Sequence, residues 1–203
     1  MNLPNSLSVT RIFLVPLLVV VLLTKFEGRM IFGIRKELVG AAIFAIASFT
    51  DWLDGYLARR RHQITALGQF IDPFADKLLI SGALISLVQL ELAAAWMVAI
   101  IIGREFAVTG LRILAHARGA TMPASPLGKL KMVAQIVAIL ALILGKDHLQ
   151  GFFVIGQIAL WVAVVTALVS AADYFRRFGV FLNPKVVALP TAAPKAHAGR
   201  KAG

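Results

Sequence analysis

The sequence predicts an all-α polytopic membrane protein with six transmembrane helices and a short N-terminal interfacial segment. Of the 203 residues, 59% are hydrophobic, and the mean hydropathy of +0.83 is too high for an ordinary soluble domain. Apolar stretches of spanning length alternate with short charged segments, and no internal repeat is visible. We therefore expect one membrane domain over residues 1–182 and a disordered Pro-, Ala- and Lys-rich tail over residues 183–203.

The six predicted spans can be placed from their flanking residues. They cover residues 12–23, 38–59, 68–92, 93–117, 125–144 and 151–176, with a mixed-charge loop over 25–37. Ser6 or Ser8 is expected to cap the first helix, and Pro16 is expected to kink it. Arg11, at the start of that span, is expected to extend towards the membrane interface, which is the common behaviour of such a residue.

Basic residues are distributed unequally between the two predicted faces. One face carries Arg11, Arg59, Arg60, Arg61, Lys77, Arg104, Arg112, Arg118, Lys129, Lys131, Arg176, Arg177, Lys185, Lys195, Arg200 and Lys201. The other face carries only Lys25, Arg29, Arg35, Lys36 and Lys146. By the positive-inside rule the first face is cytoplasmic, which places both termini there in an inner or plasma membrane.

Four aspartates occupy the segment 51–76 of this otherwise apolar chain. Asp51 and Asp54 share a helix face with the small residue Ala58, at about 100° per residue. Asp72 and Asp76 are four residues apart, so they too share a face if that segment is helical. Pro73 leaves open an alternative in which Asp72 only caps a helix that starts there.

Unpaired aspartates are costly within a membrane, at about 2.5–3.5 kcal/mol each at the centre of a helix. A bound cation would neutralise them. Because the segment offers carboxylate oxygens, only His62 and no cysteine, it favours a hard ion such as Mg²⁺ over zinc. The sequence therefore predicts a divalent-metal site that binds phosphate groups.

A second group of charged residues surrounds the fourth and fifth spans. Its cations, the candidate acceptor phosphate ligands, are Arg104, Arg112, Arg118, Lys129 and Lys131. Glu105 can form an internal ion pair with a neighbouring arginine, which would be a purely structural role. The cations outnumber it, and Lys129 and Lys131 stand near a helix start, where the helix dipole disfavours positive charge. The surplus predicts an anionic ligand.

Composition also excludes some functions. The chain has no cysteine, which rules out disulfides and thiolate sites. Its net charge of +11 could indicate nucleic-acid binding, but in so apolar a chain it fits anionic lipids and phosphorylated substrates better. We expect no nucleic-acid partner.

The aspartate segment reads D-x2-D-G-x2-A-R-x8-G-x3-D-x3-D, with every position filled from Asp51 to Asp76. This pattern resembles the signature of the CDP-alcohol phosphotransferases, membrane enzymes that transfer a phosphatidyl or related group from a CDP-linked donor to an alcohol. The resemblance implies a homodimer with Mg²⁺ or Mn²⁺, two ions in all, bound by Asp51, Asp54, Asp72 and Asp76. It also implies that the nucleotide contacts Asn5, Asp54, Gly55, Ala58, Arg59 and Gly68, with a weaker inference for Arg11. Asp76 would be the general base, although spacing alone does not distinguish it from Asp72.

Other segments resemble one branch of that family over residues 2–175. They are NLPNSLSVTR near the N-terminus, REFAVTGLR at 104–112 and ASPLGKLKMVAQ at 124–135. In that branch the donor is CDP-diacylglycerol, the acceptor is sn-glycerol 3-phosphate, and CMP leaves. Two kinds of alternative stay open: a family member that uses phosphatidylglycerol, an inositol phosphate or serine as acceptor, and a divalent-cation transporter. A transporter would place its site near the membrane midplane between repeated halves.

Overall fold

The computed structural model describes residues 3–24, 30–31, 33–61, 66–117, 126–145 and 150–181. It describes their side chains except those of residues 3–9, 30, 51–61, 66–76, 114–117, 126–127, 150 and 177–181. The predicted C-terminal tail lies outside these ranges, and so does Arg118.

The described chain folds into six α-helices, which confirms the all-α prediction. They are α1 (Leu3–Leu23), α2 (Lys36–Arg61), α3 (Ala66–Gln89), α4 (Ala95–Ala117), α5 (Pro126–Gly145) and α6 (Gln150–Phe181). Each coincides with one of the six predicted apolar stretches.

The N-terminus differs from the prediction. Helix α1 already begins at Leu3, so Ser6 and Ser8 lie inside the helix and do not cap it. Pro4 falls in its first turn, where a missing N–H group removes no helical hydrogen bond. The expected interfacial segment is therefore continuous with the first helix.

The predicted loop between the first two helices contains a short hairpin. Strand β1 (Met30–Ile31) pairs antiparallel with β2 (Ile34–Arg35). Gly33 in the turn has a φ of +77°, a left-handed conformation that glycine adopts without strain. Two-residue strands carry too little periodicity to be recognised in a sequence.

Lys36, the first residue of α2, ties that helix to the end of α1. Its Nζ donates hydrogen bonds to the carbonyl oxygens of Leu22 (3.2 Å) and Thr24 (3.1 Å). These carbonyls belong to the C-terminal end of α1, where a cation is favoured by the helix dipole and by unpaired acceptors. The contact fixes the first two helices to each other at the end opposite the aspartates.

Helices α5 and α6 form the most extensive contact in the bundle. Glycines allow their backbones to approach closely. A Cβ atom on Gly156 would lie 2.7 Å from Leu142 Cγ, and one on Gly145 would lie 2.4 Å from the backbone nitrogen of Phe153. Small residues at helix contacts are typical of membrane proteins, in which packing replaces the hydrophobic effect as the main driving force.

Helix α4 also packs against α6. Near its start, the indole rings of Trp96 and Trp161 meet edge to face with centroids 5.6 Å apart. Further along, Arg104 hydrogen-bonds Ser170. Helix α3 contacts both α4 and α5, so these three helices enclose the space in which the candidate site lies.

Within the described residues, two segments are long and apolar enough to cross a membrane. They are Gly128–Gly145, with a mean hydropathy of 1.8, and Gly151–Arg176, with a mean hydropathy of 2.4. Thr10–Leu23 and Lys77–Gln89 are shorter apolar helical segments. The outer face of α6 exposes large apolar side chains, namely Val154, Ile158, Trp161, Val165, Leu168 and Phe175. Such a face suits lipid better than water.

Candidate functional site

A cavity of about 250 Å³ lies between α3, α4 and α5. The cationic side chains that line it are Lys77, Arg104, Arg112, Lys129 and Lys131. Glu105 is the only acidic residue among its described lining residues. The remaining lining residues are Ile80, Ser81, Ile101, Ile102, Gly128, Met132 and Gln135. Five cations facing one carboxylate make this cavity strongly attractive to anions.

Glu105 neutralises part of this charge. Its Oε1 atom forms an ion pair with Lys131 Nζ and lies 3.3 Å from Arg104 Nη1. The Lys131 side chain is only 5% exposed, so its ammonium needs a counter-charge inside the protein. The predicted structural role of Glu105 is therefore confirmed, with a lysine of α5 as an additional partner. Lys77, Arg112 and Lys129 also line the cavity, and no carboxylate beyond Glu105 does so among the described residues.

Helix α6 holds the two arginines of α4 in position. Ser170 Oγ accepts hydrogen bonds from Arg104 Nε (3.1 Å) and Nη2 (2.6 Å). Tyr174 Oη accepts one from Arg112 Nη2 (2.6 Å). Ser170 and Tyr174 are one turn apart and nearly fully buried, so they form a rigid support.

The Tyr174 ring also lies against both guanidinium groups. The Cζ atoms of Arg104 and Arg112 are 5.8 Å and 5.4 Å from the ring centroid, which is within the range of a cation–π contact. Two guanidinium groups that share one aromatic ring repel each other. An anion bound between them and the lysines would relieve that repulsion.

Four of the five predicted acceptor ligands meet at this cavity. Arg104, Arg112, Lys129 and Lys131 line it, although they belong to two helices and are spread over 28 positions of the sequence. Arg118, the fifth, lies outside the described residues. Sequence reasoning missed Lys77 as a member of this group; its position directly after Asp76 in the aspartate motif is the signal that could have identified it.

Three polar residues near the cavity also escaped prediction. Gln135 lines the cavity, while Ser170 and Tyr174 position its arginines from behind. Ser170 and Tyr174 come from a long apolar helix, in which isolated polar residues resemble ordinary buried ones. Their i, i+4 spacing is the only signal in the sequence.

The predicted metal ligands lie on neighbouring helices, with their side chains outside the described set. Helix α2 carries Asp51 and Asp54, and α3 carries Asp72 and Asp76. A helix rises about 1.5 Å per residue, so Asp54 and Asp72 lie about 10 Å and about 9 Å from the facing ends of their helices, and Asp51 and Asp76 about 15 Å. The two pairs therefore lie at similar levels in consecutive helices that contact each other.

The structure excludes the alternative in which Asp72 of the aspartate motif only caps a helix. Helix α3 begins at Ala66, so Asp72 lies within the helix and the interpretation as an N-terminal cap is wrong. Asn5 lies on α1, Gly55, Ala58 and Arg59 on α2, and Gly68 on α3, again without described side chains. Among the described side chains alone, no three His, Cys, Asp or Glu residues lie close enough together to hold a metal ion.

Arg11 does not behave as expected from its place near the start of the first span. It is only 2% exposed and is among the largest fully buried side chains of the described residues. The prediction that it reaches the membrane interface is wrong, because α1 extends two further turns towards the N-terminus and packs along α3.

Comparison with known proteins agrees with the aspartate motif. Residues 1–169 match the CDP-alcohol phosphatidyltransferase family. The chain belongs to this family. The match covers both aspartate-bearing helices and all the described residues that line the cavity.

Curated members of the CDP-alcohol phosphatidyltransferase family resemble the chain over most of its length. A protein of Bacillus subtilis named CDP-diacylglycerol–glycerol-3-phosphate 3-phosphatidyltransferase is 48% identical over 182 residues, covering 87% of this chain and 94% of the relative. A protein of Rickettsia typhi with the same name is 34% identical, covering 86% and 96%. A probable phosphatidylglycerophosphate synthase of Mycobacterium tuberculosis H37Rv is 39% identical, covering 87% and 81%. Together with the two apolar helices, membership of this family indicates a membrane protein.

Proposed function

We propose that this protein is a phosphatidylglycerophosphate synthase, which transfers the phosphatidyl group of CDP-diacylglycerol to sn-glycerol 3-phosphate and releases CMP. The observation that carries the proposal is the cationic cavity. One of its lining residues, Lys77, directly follows Asp76 of the family motif in the sequence. Asp76 is also one helical turn before Ile80, another residue that lines the cavity, which supports a position of the motif next to the cavity. The names of the similar proteins support the same reaction.

The cavity suits a small phosphorylated acceptor. Its volume of about 250 Å³ is below the roughly 300–1,000 Å³ of sites for drug-sized ligands. Arg104 and Arg112 retain guanidinium N–H groups beyond those that contact Ser170, Glu105 and Tyr174, and these can donate to phosphate, while Lys129 and Lys131 add point charges. Glycerol 3-phosphate is small, doubly charged and rich in acceptor oxygens, so it matches both the volume of the cavity and its positive charge.

The aspartates are proposed to bind the metal and to accept a proton. Asp51, Asp54, Asp72 and Asp76 provide only oxygen ligands at similar levels of two adjacent helices, a donor set that fits Mg²⁺ or Mn²⁺. Two such ions, when bound, would neutralise the diphosphate of the donor. The nucleotide is proposed to lie against Asn5, Gly55, Ala58, Arg59 and Gly68, as the family resemblance implies.

In the transfer step a hydroxyl oxygen of the acceptor forms a bond to the phosphorus of the phosphatidyl group. The bond from that phosphorus to the oxygen of CMP breaks, and CMP leaves with the bonding electrons. The hydroxyl proton passes to a carboxylate, which we assign to Asp76 from the family resemblance. Arg104, Arg112, Lys129 and Lys131 hold the acceptor by its phosphate, so that its hydroxyl is directed towards the metal motif.

We also propose six membrane spans with both termini and the site on the cytoplasmic side. Each of the six helices has at least 20 residues, so each has the length needed to span a bilayer core of about 30 Å. The excess of basic residues at the end that carries the cavity supports the orientation. Accessibility labelling of single cysteines introduced at each end of the helices would test this orientation, since the chain has no native cysteine.

We also propose a homodimer, as the family resemblance implies. The mass of the protein in nanodiscs would test this assembly.

Two competing functions make different demands on the cavity. A cardiolipin synthase would accept phosphatidylglycerol, whose two acyl chains and diester phosphate fit a small cationic pocket poorly. A divalent-cation transporter has no use for a cationic cavity beside its carboxylates, because the same charges would repel its substrate. Both are therefore less consistent with five lining cations.

The decisive experiment measures CMP release from CDP-diacylglycerol by the purified protein with a panel of acceptors. We expect turnover with glycerol 3-phosphate and little with glycerol, phosphatidylglycerol, inositol phosphate or serine. Turnover with another member of the panel and not with glycerol 3-phosphate would reassign the acceptor. Absence of CMP release with every acceptor would overturn the phosphotransferase proposal itself.

A further inference from the structure

Gln135 presents an unused hydrogen-bond donor at the cavity. The side chain is 3% exposed, it lines the cavity, and its buried Nε2 atom has no hydrogen-bond partner among the described residues. A buried amide N–H without a partner destabilises a fold, so such a group is usually paired or reserved for a ligand. Its position makes a ligand the natural partner.

Helix geometry places Gln135 next to the phosphate-binding cations. Gly128, Lys131 and Gln135 follow an i, i+3, i+7 pattern, so they lie on one face of α5, and all three line the cavity. Gln135 is one turn beyond Lys131, about 6 Å further along the helix axis. A ligand whose phosphate contacts Lys131 would bring a group about four bonds from the phosphorus to the level of Gln135.

A second glutamine shows the ordinary structural use of this side chain. Gln157, on α6, donates from Nε2 to the carbonyl oxygen of Leu92 at 2.7 Å and thereby links α6 to the turn after α3. Gln135 has no such contact among the described residues, although it is more deeply buried. The difference separates a structural glutamine from one that faces a binding site.

The neutral amide suits a hydroxyl better than a phosphate. Glycerol 3-phosphate has a primary hydroxyl that attacks and a secondary hydroxyl that takes no part in bond formation. A donor directed at the attacking oxygen would draw away the electrons that it needs, whereas the secondary hydroxyl can accept a hydrogen bond without cost to the reaction. The secondary hydroxyl is therefore the chemically consistent partner.

We propose that Gln135 is a specificity-determining residue whose Nε2 donates a hydrogen bond to the secondary hydroxyl of the acceptor. The inference rests on the proposed function and adds a substrate-selecting contact to it. Acceptors that carry a phosphate but lack this hydroxyl leave the amide unpaired in the bound complex and are disfavoured. The cations thus select for the phosphate and Gln135 selects for the glycerol backbone.

The test compares two acceptors and three forms of the full-length protein. The acceptors are sn-glycerol 3-phosphate and 3-hydroxypropyl phosphate, which lacks only the secondary hydroxyl. We expect wild type to favour glycerol 3-phosphate by about ten- to a hundredfold in kcat/KM. Gln135→Met, which keeps the length of the side chain, should reduce this preference to about twofold or less. Its kcat/KM for 3-hydroxypropyl phosphate should stay close to that of wild type, because no hydrogen bond is lost there.

Gln157→Met is the matched control. It removes a structural hydrogen bond, so it should lower the melting temperature and leave the preference between acceptors unchanged. If Gln135→Met does not fold, Gln135→Leu, which is also uncharged and has no hydrogen-bond donor, should lose the preference as well. Absence of a preference in wild type, or an equal loss with both acceptors in a folded Gln135 variant, would overturn the inference. Failure of wild type to use glycerol 3-phosphate at all would be a different result, which removes the proposed function and this inference with it.

Discussion

Arg112 and Tyr174 are joined in two ways, because Arg112 Nη2 donates to Tyr174 Oη at 2.6 Å while the guanidinium group lies 5.4 Å from the centre of the ring. The contact connects the C-terminal third of α4 to α6, which contributes no lining residue to the described part of the cavity. A buried aromatic residue thereby fixes the direction of a cation that faces the cavity. Helix α6, which packs mainly against α5, therefore supports the proposed acceptor site without lining it.

Replacement of Tyr174 by Phe should weaken acceptor binding selectively. The ring and its cation–π contacts remain, but the hydrogen bond that orients Arg112 is lost. A less well oriented Arg112 makes a weaker contact with the acceptor phosphate, and a loss of about 1.4 kcal/mol in that contact would raise the KM for glycerol 3-phosphate about tenfold. Steady-state kinetics with each substrate varied in turn would measure this, with the KM for CDP-diacylglycerol little changed.

The neighbouring residue provides the control for this variant. Phe175 is 54% exposed on the outer face of α6, so Phe175→Leu should leave both KM values unchanged. An equal change of both KM values in Tyr174→Phe would contradict a role confined to the acceptor site.

Replacement of Glu105 by Gln should destabilise the protein without ligand and increase its stabilisation by phosphate. The variant removes the carboxylate that forms an ion pair with the buried Lys131, and loss of one member of a buried ion pair costs about 3–5 kcal/mol. Inorganic phosphate can replace the missing negative charge. Thermal unfolding in detergent should therefore show a lower melting temperature for the variant and a larger upward shift on addition of phosphate.

Glu91→Gln serves as the control for loss of a carboxylate, because Glu91 is exposed in the turn after α3. Its melting temperature and phosphate response should match those of wild type. A phosphate response of Glu105→Gln that is no larger than that of wild type would show that the anion does not bind beside Lys131.

The sequence predicted the helices and the cation cluster well because both depend on strong local or compositional signals. Apolar stretches of spanning length define six helices regardless of tertiary context, and Arg104, Arg112, Lys129 and Lys131 are conspicuous in such stretches. The helix boundaries were less predictable. Polar residues near the N-terminus suggested a cap, yet α1 starts at Leu3, since Pro4 is well suited to a first turn.

Residues that act through tertiary contacts could not be predicted in this way. Ser170 and Tyr174 acquire a role only because α6 packs beside α4, and sequence spacing does not determine which helices become neighbours. Arg11 is buried for the same reason, although a lone arginine near the start of a span usually reaches the interface. The predicted roles of the four aspartates stay predictions.

Removal of any one motif carboxylate should abolish turnover while the protein still inserts and folds. Asp51→Ala, Asp54→Ala, Asp72→Ala and Asp76→Ala each delete an oxygen ligand that is proposed to bind metal. CMP release is the measurement, with melting temperature as the check on folding. EDTA should also abolish the activity of wild type, and Mg²⁺ or Mn²⁺ should restore it; activity that persists in EDTA would exclude an essential metal.

Replacement of Gly156 by Ala should destabilise the contact between α5 and α6. The new Cβ atom would approach Leu142 N to 3.0 Å and Leu142 Cγ to 2.7 Å, and the backbone cannot move away without separating the helices. Overpacking of this kind costs about 1–3 kcal/mol. Gly103→Ala is the matched control, because no atom lies within 4 Å of its added Cβ, and it should be neutral or slightly stabilising by thermal unfolding.

Neutralisation of single cavity cations should separate acceptor binding from donor binding. Arg104→Gln, Arg112→Gln or Lys129→Gln removes one charge-assisted contact to the acceptor phosphate, worth about 1.5–3 kcal/mol. The KM for glycerol 3-phosphate should rise by about ten- to a hundredfold, and the KM for CDP-diacylglycerol should change little. Arg176 is an exposed residue of α6 that does not line the cavity, so Arg176→Gln is a control for the change in net charge. It should leave the KM values of both substrates unchanged. A defect in the donor KM alone would place these cations on the diphosphate of the donor and leave the acceptor without its proposed site.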